Sequence, residues 1–314
     1  MNGSKIDRRA ACRLIGVGLA GIARVRLAAQ PVSALASAPA FRLRYVLSSS
    51  MYGTLPLETI LPEVRRAGAE QIDIWPRVHG NQREQIEEMG LDRFAALLEK
   101  HRVRLGAVTR FDLGPFRLES ELPFAQRFGA EVIVTGSGGP ANLAGPELKA
   151  SVKAFIEKMK PHVDAAARAG VAIGIENHAN ALVASPDSIR YFAELAPSSH
   201  LGIAFAPYHL PQDSILLAQL IRELGPKLAF FYAWQHGLGA SKKMPKEEEM
   251  RQMPGWGPLD FKPMLDALRQ IRFAGLTSIF MHPVPRGIPI LPTAAEVTAA
   301  INQSRQHLEQ CLER

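Results

Sequence analysis

Cysteine is nearly missing from this chain: its 314 residues hold two, Cys12 and Cys311. Cys12 falls in a segment that reads as a removable leader, so Cys311 stands alone in the remainder. An intrachain disulfide is excluded there, and a hydrophobic core has to hold the fold. Long apolar runs are missing too. Nothing beyond residue 40 approaches the roughly 18 uninterrupted apolar residues that span a bilayer. That part is expected to be soluble, with no stable membrane association. Gly-x-Ser-x-Gly, His-Glu-x-x-His, P-loop and Cys-x-x-Cys patterns are all absent, which removes the short motifs of serine hydrolases, zincins, P-loop NTPases and dithiol enzymes. No linker or low-complexity tract divides the chain.

Positive charge is scarcer than the total suggests. Residues 1–40 carry Lys5, Arg8, Arg9, Arg13, Arg24 and Arg26 against Asp7, a net +5 of the chain's +7, which leaves +2 for the rest. A sequence pI of about 9.6 therefore does not indicate nucleic-acid binding, which needs basic residues clustered on one folded surface. Those 40 residues have the order of an export leader: a basic start, a short apolar run from Leu14 to Ala23, then Ala34-Leu35-Ala36 and Ala38-Pro39-Ala40 as small-residue cleavage patterns. The Arg8-Arg9 pair resembles the twin-arginine signal, although Ala10 and Ala11 stand where a bulky apolar residue is usual. Export to the periplasm or cell exterior is the expectation. Gly16-Val17-Gly18-Leu19-Ala20-Gly21 matches a dinucleotide fingerprint by letter, but it lies inside the leader's apolar run and not between a strand and a helix.

From residue 41 short apolar runs alternate with longer helical periods. The pattern predicts strands at 43–47, 71–75, 104–109, 131–135, 171–176, 201–205, 227–234 and 276–282. It predicts helices at 57–67, 83–101, 118–128, 147–169, 186–195, 211–224, 259–273 and 294–312. Continuous apolar strands suit burial on both faces, and strict alternation requires parallel strands with right-handed crossovers. A single (β/α)8 TIM barrel over residues 41–314 is the fold class these features give, and about 270 residues suits the ~250 typical of that fold.

In such barrels the chemistry sits at the carboxyl ends of the strands, and those ends are polar here. Asp73, Trp75 and His79 follow strand two, Arg110 strand three, Glu176 and His178 strand five, Tyr208 and His209 strand six, Trp234 and His236 strand seven, and His282 strand eight. Glutamate and neutral imidazole converging in one mouth suit a single divalent ion such as Mn²⁺, Co²⁺, Zn²⁺ or Fe²⁺. Glu176 is the strongest candidate, since a carboxylate ending an apolar strand is costly unless paired or bound. His178 reads as a substrate contact or as a partner that orients a ligand. Asp73 has the alternative of pairing with Arg110, and Trp75, Tyr208 and Trp234 serve either as barrel packing or as a wall for a sugar ring. Lys242, in the long loop after strand seven, is placed to cover a substrate or simply to stay solvated. His101, His162, His200 and His307 fall on helices and read as surface residues.

With these motifs the chain resembles the xylose isomerase-like barrel family of sugar and sugar-phosphate isomerases and epimerases, with endonuclease IV more distant. The resemblance spans about residues 42–312. It is carried by Ile173-Gly174-Ile175-Glu176-Asn177-His178, by Leu201 to His209, and by the endings of strands seven and eight. It implies a metal held by a strand-five Glu, a strand-six Asp, a strand-seven His and a strand-eight Glu. Glu176 and His236 match two of these, and His209 matches the substrate-contacting His. Ala206 replaces the Asp, and Phe280-Met281-His282 replaces the last Glu. The implied set becomes Glu176, His209, His236 and His282, with Glu176 and His209 as proton-transfer groups. The expected function is metal-assisted proton abstraction beside the carbonyl of a small sugar or keto-sugar, in an isomerase or epimerase. The alternatives are a keto-sugar lyase and a non-catalytic sugar-binding barrel whose metal site has decayed. N-terminal sequencing of exported protein should find a start between about Ser37 and Phe41, whereas an intact Met1 or Asn2 on cytoplasmic protein would end the export reading.

Overall fold

The computed structural model describes residues 41–314 apart from Leu238, so the expected leader lies outside the described residues. Eight strands form one closed parallel sheet in chain order. They are β1 (Arg44–Ser48), β2 (Gln71–Ile74), β3 (Arg104–Thr109), β4 (Val132–Gly136), β5 (Ala172–Glu176), β6 (Leu201–Phe205), β7 (Leu228–Ala233) and β8 (Leu276–Ile279). β1 pairs with β8 through Arg44↔Leu276 and Tyr45↔Thr277, which closes the ring and leaves no free edge. This is a single (β/α)8 barrel. Ile133, Ile173, Ile175 and Ile203 are fully buried, and each such side chain contributes roughly 1.5–3 kcal/mol through its lost contact with water.

The outer helices are α1 (Leu57–Arg66), α2 (Gln82–Met89), α3 (Leu91–His101), α4 (Leu122–Phe128) and α5 (Gly145–Ala169). They continue with α6 (Pro186–Leu195), α7 (Ser214–Leu224), α8 (Lys246–Met250), α9 (Lys262–Gln270) and α10 (Ala294–Glu313). Two features depart from the sequence pattern. The helical period across 83–101 is broken into α2 and α3 at Gly90, whose φ of 85° an L side chain adopts only under strain. The loop after β7 contains the short helix α8, which its polar composition conceals.

Register places the strand ends. Gly136 pairs with Glu176, and Glu176 with Ala204, so the carboxylate sits at the carboxyl rim between β4 and β6. The β6–β7 contact is close: a Cβ on Gly202 would lie 2.6 Å from the Lys227 carbonyl oxygen, so no larger residue fits there. The opposite end of the barrel is closed by Arg44 and Gln71, which donate to Glu131 at 2.9 and 2.7 Å. The charged plug and the polar mouth therefore lie at opposite ends.

Candidate metal centre at the barrel mouth

Glu176 is the last residue of β5, and its position is fixed by the residue that follows. The Asn177 amide donates from Nδ2 to the Ala206 carbonyl at 2.9 Å and accepts at Oδ1 from the Ala206 N–H at 2.8 Å. This clasp joins the end of β5 to the end of β6, where the chain turns through Pro207–His209 as a short 3-10 turn. His178 and His209 are thereby brought together, with ring centroids 4.1 Å apart. His209 Nε2 lies 3.5 Å from Glu176 Oε1. One donor atom from each of Glu176, His178 and His209 lies within 4.8 Å of the others, a spacing that fits one metal ion.

The donor chemistry fits as well. His209 Nε2 is buried and has no hydrogen-bond partner, an arrangement that costs free energy unless something is bound there. His178 Nδ1 lies 2.8 Å from the Ala179 carbonyl oxygen. An N–H at Nδ1 leaves the Nε2 lone pair free for an ion, the arrangement usual for ligating histidines. Two imidazoles and a carboxylate are a donor set of catalytic zinc sites, which keep a further position open.

Burial sets the protonation states. It pushes the Glu176 carboxyl up to about 7, opposed by the His178 charge and by the Tyr232 hydroxyl. That hydroxyl leans on the carboxylate without completing a hydrogen bond of good geometry. Burial likewise lowers His209 to about 4, helped by the charge of Arg286, so its ring is neutral near pH 7 and able to ligate. Asp73 lies deeper in the barrel and is also pushed up to about 7 by burial. Ser48, Trp75 and Thr109 oppose this by donating to its carboxylate, and the charge of Glu176 adds to it.

The model of one family, the xylose isomerase-like TIM barrel, matches residues 61–311. The chain belongs to the xylose isomerase-like TIM barrel family. Among solved structures, the IolI protein with a bound zinc atom is 15% identical with a TM-score of 0.60, covering 86% of this chain and 96% of its own. An L-ribulose 3-epimerase is 16% identical at TM-score 0.61, covering 87% and 95%. A probable 3-DHS dehydratase, AsbF of Bacillus anthracis, is 11% identical at TM-score 0.61, covering 85% and 98%. At these identities the likeness concerns the fold. No curated protein matches the sequence.

Among the described residues of this xylose isomerase-like barrel, the group that could hold a metal ion is Glu176, His178 and His209, and His236 and His282 fall outside it. His236 stands in the left-handed region at φ 71°, with its backbone N–H held by Gln212 Oε1 at 2.9 Å. The His282 ring is held by packing. It lies against Trp75, Trp234 and Phe280 and has its centroid 4.5 Å from that of His79. Gln252 clamps it there, accepting from the His282 N–H at 3.1 Å and donating to its carbonyl at 2.9 Å. Trp234 has His209 on one contact and His282 on another, so the mouth has two walls.

Other expectations are corrected too. Asp73 does not pair with Arg110, whose guanidinium binds Asp112 and Glu121 instead. Trp75 and Trp234 are 2% exposed. Trp75 stacks on Phe280 at 5.3 Å, and Trp234 on Tyr208 at 4.0 Å. The packing role prevails over the sugar wall for these rings. The Tyr208 hydroxyl accepts from the Ala240 N–H at 3.1 Å and so anchors the long loop. Lys242 is exposed on that loop. Sequence reasoning overlooked Asn177, Tyr232, Gln252 and Arg286. Only Asn177, inside the strand-five motif, carried a signal that pointed to it.

The pH behaviour of Glu176 has a defined sign. Its value in the fold lies above the ordinary 4.5, so its neutral form contributes stability fully present below that pH and lost as pH rises through about 7. In urea melts of metal-free protein, Glu176→Gln should gain on the parent between pH 4.5 and 8, by on the order of 2–3 kcal/mol. A difference that stays flat across that range would show the carboxylate to be ionised throughout.

Proposed function

We propose that this barrel is a metal-assisted sugar isomerase or keto-sugar lyase that removes a proton from the carbon beside a carbonyl. The observation that carries the reading is the convergence of Glu176, His178 and His209, with a buried, unpartnered nitrogen on His209. A divalent ion at these donors supplies Lewis-acid polarisation of the carbonyl. Glu176 holds and moves the proton. Its Oε1 faces His209, and in the metal-free protein burial raises its carboxyl to about 7, within the range suited to a general base at neutral pH. His209, lowered to about 4 by burial, stays a neutral donor and with His178 orients that carboxylate.

The opposite wall argues against epimerisation by two opposed bases. It carries His79, lowered to about 4 by burial, and His282, lowered well below its ordinary value by burial and by neighbouring positive groups. Such imidazoles are poor proton acceptors at neutral pH. A proton taken from one carbon by Glu176 and returned on the same face to the former carbonyl carbon, with the hydroxyl proton passing to the other oxygen, gives isomerisation. Loss of a leaving group from the same enediolate gives elimination. The barrel's buried aromatic wall excludes water from the reacting carbon. An exported enzyme acting on extracellular sugars fits the leader-like residues 1–40.

Solvent exchange reads the shared first step. The protein would be incubated with aldoses, ketoses and 3-keto-sugars in heavy water, with Mn²⁺, Co²⁺ or Zn²⁺ added. Deuterium is expected beside the carbonyl of at least one sugar, and Glu176→Gln should slow its entry about 10²–10⁴-fold. Tight sugar binding without exchange across the whole panel would decide for a non-catalytic sugar-binding barrel, the reading that Ala206 in place of the family's Asp favours.

A further inference from the structure

Arg286 lies on the loop between β8 and α10 and is half-buried. The loop is tied to the segment after β1, through Thr54 N–H to the Gly287 carbonyl at 3.1 Å and Ile290 N–H to the Met51 carbonyl at 3.0 Å. Among the described residues its guanidinium donates from Nη1 to the Pro283 carbonyl at 2.8 Å and has no ion pair. Glu249, the acid whose charge it feels, is already engaged by Lys246 Nζ at 2.6 Å and by the Val284 N–H at 3.3 Å.

Geometry places this cation beside the His79–His282 pair: its Nη1 donates to the carbonyl of Pro283, the residue after His282, and a Cβ on Gly287, the residue after Arg286, would lie 3.1 Å from the carbonyl oxygen of Val78, the residue before His79. The charge of Arg286 falls on His79, His209 and His282, on both walls of the mouth, and on the Tyr208 hydroxyl. The mouth therefore holds the neutral rings of His79, His209 and His282 and, in Arg286, a cation without an ion pair among the described residues. A half-buried, unpaired guanidinium costs free energy unless a ligand neutralises it.

We infer that Arg286, with the His79–His282 pair beside it, binds the carboxylate of an acidic sugar. The inference rests on the sugar-site reading above and names the substrate class. A guanidinium presents two parallel N–H donors that match a carboxylate, and the neutral imidazoles, whose centroids are 4.5 Å apart, each carry one N–H to complete the seat. A single guanidinium balances the single charge of a carboxylate. A dianionic phosphoryl group would call for further cations, and Lys242 and Lys243 of the β7 loop are exposed. The acid end of the substrate is anchored at Arg286 while its carbonyl lies toward Glu176, His178 and His209.

Calorimetric titration of the full chain with D-glucuronate, D-gluconate, D-glucose and glucose 6-phosphate tests this, with metal content measured in the same samples. The parent should prefer the two acids over glucose by roughly 10- to 100-fold, the range of a charge-assisted hydrogen-bonded pair. Arg286→Gln should erase that preference with metal content unchanged, and Arg286→Lys should keep only part of it. Equal binding of acids and glucose by the parent, a preference that survives Arg286→Gln, or tighter binding of the phosphate would each overturn the inference. Acid preference in a protein that binds no metal and exchanges no proton would uphold the inference and refute the proposed reaction, so the two fail separately.

Discussion

The site depends on the Asn177 clasp. One buried side-chain amide satisfies both backbone groups of Ala206, and in doing so it sets the distance between the residue before it, the residue after it and the turn that carries His209. Leaving either buried backbone group unpaired costs about 1–3 kcal/mol, so the join between β5 and β6 is strongly specified. It also shows how the barrel tolerates Ala206. The side chain at that position is only a methyl group, its backbone is held in place, and His178 lies with Glu176 and His209 in a group that could hold a metal ion.

Burial then governs the chemistry of the whole mouth. The same loss of water raises Glu176 and Asp73 to about 7 and lowers His79 and His209 to about 4. All four groups move toward their neutral forms, which is how a folded protein avoids the cost of isolated buried charge. In the metal-free protein this leaves the His79 and His209 rings neutral near pH 7 and Glu176 close to the middle of its titration. Arg286 is the exception to this neutrality, and its charge helps to keep the imidazoles unprotonated. Gln252 performs on the β7–β8 side what Asn177 performs on the β5–β6 side, holding His282 and Trp234 through Oε1 and Nε2. Two amide clasps therefore frame the mouth.

The barrel was legible because strands buried on both faces read as continuous apolar runs. β3 and β6 fall at the residues the pattern gives, 104–109 and 201–205. The break at Gly90 was not legible, since apolar spacing continues across it and only the backbone angle marks the stop. That Glu176 and His209 share one rim was legible from their places at the ends of β5 and β6. Sequence shows adjacency but not reach, so it puts His178 beside Glu176 without showing its approach to His209. That approach is produced by the turn at Pro207–His209. His282 occupies the position of a missing carboxylate, yet the packing of two indoles and Phe280 directs its ring to His79. Arg286 and Gln252 lie in loops without periodicity, where only tertiary contacts reveal a role.

The most direct test of the account is zinc or cobalt stoichiometry and affinity in the parent and in five alanine variants, each checked for folding. The account predicts that Glu176→Ala, His178→Ala and His209→Ala lose affinity more than the ~10–100-fold typical of residues that only orient a ligand. It predicts that His236→Ala and His282→Ala bind as the parent does. Full binding in His178→Ala together with loss in His282→Ala or His236→Ala would contradict it.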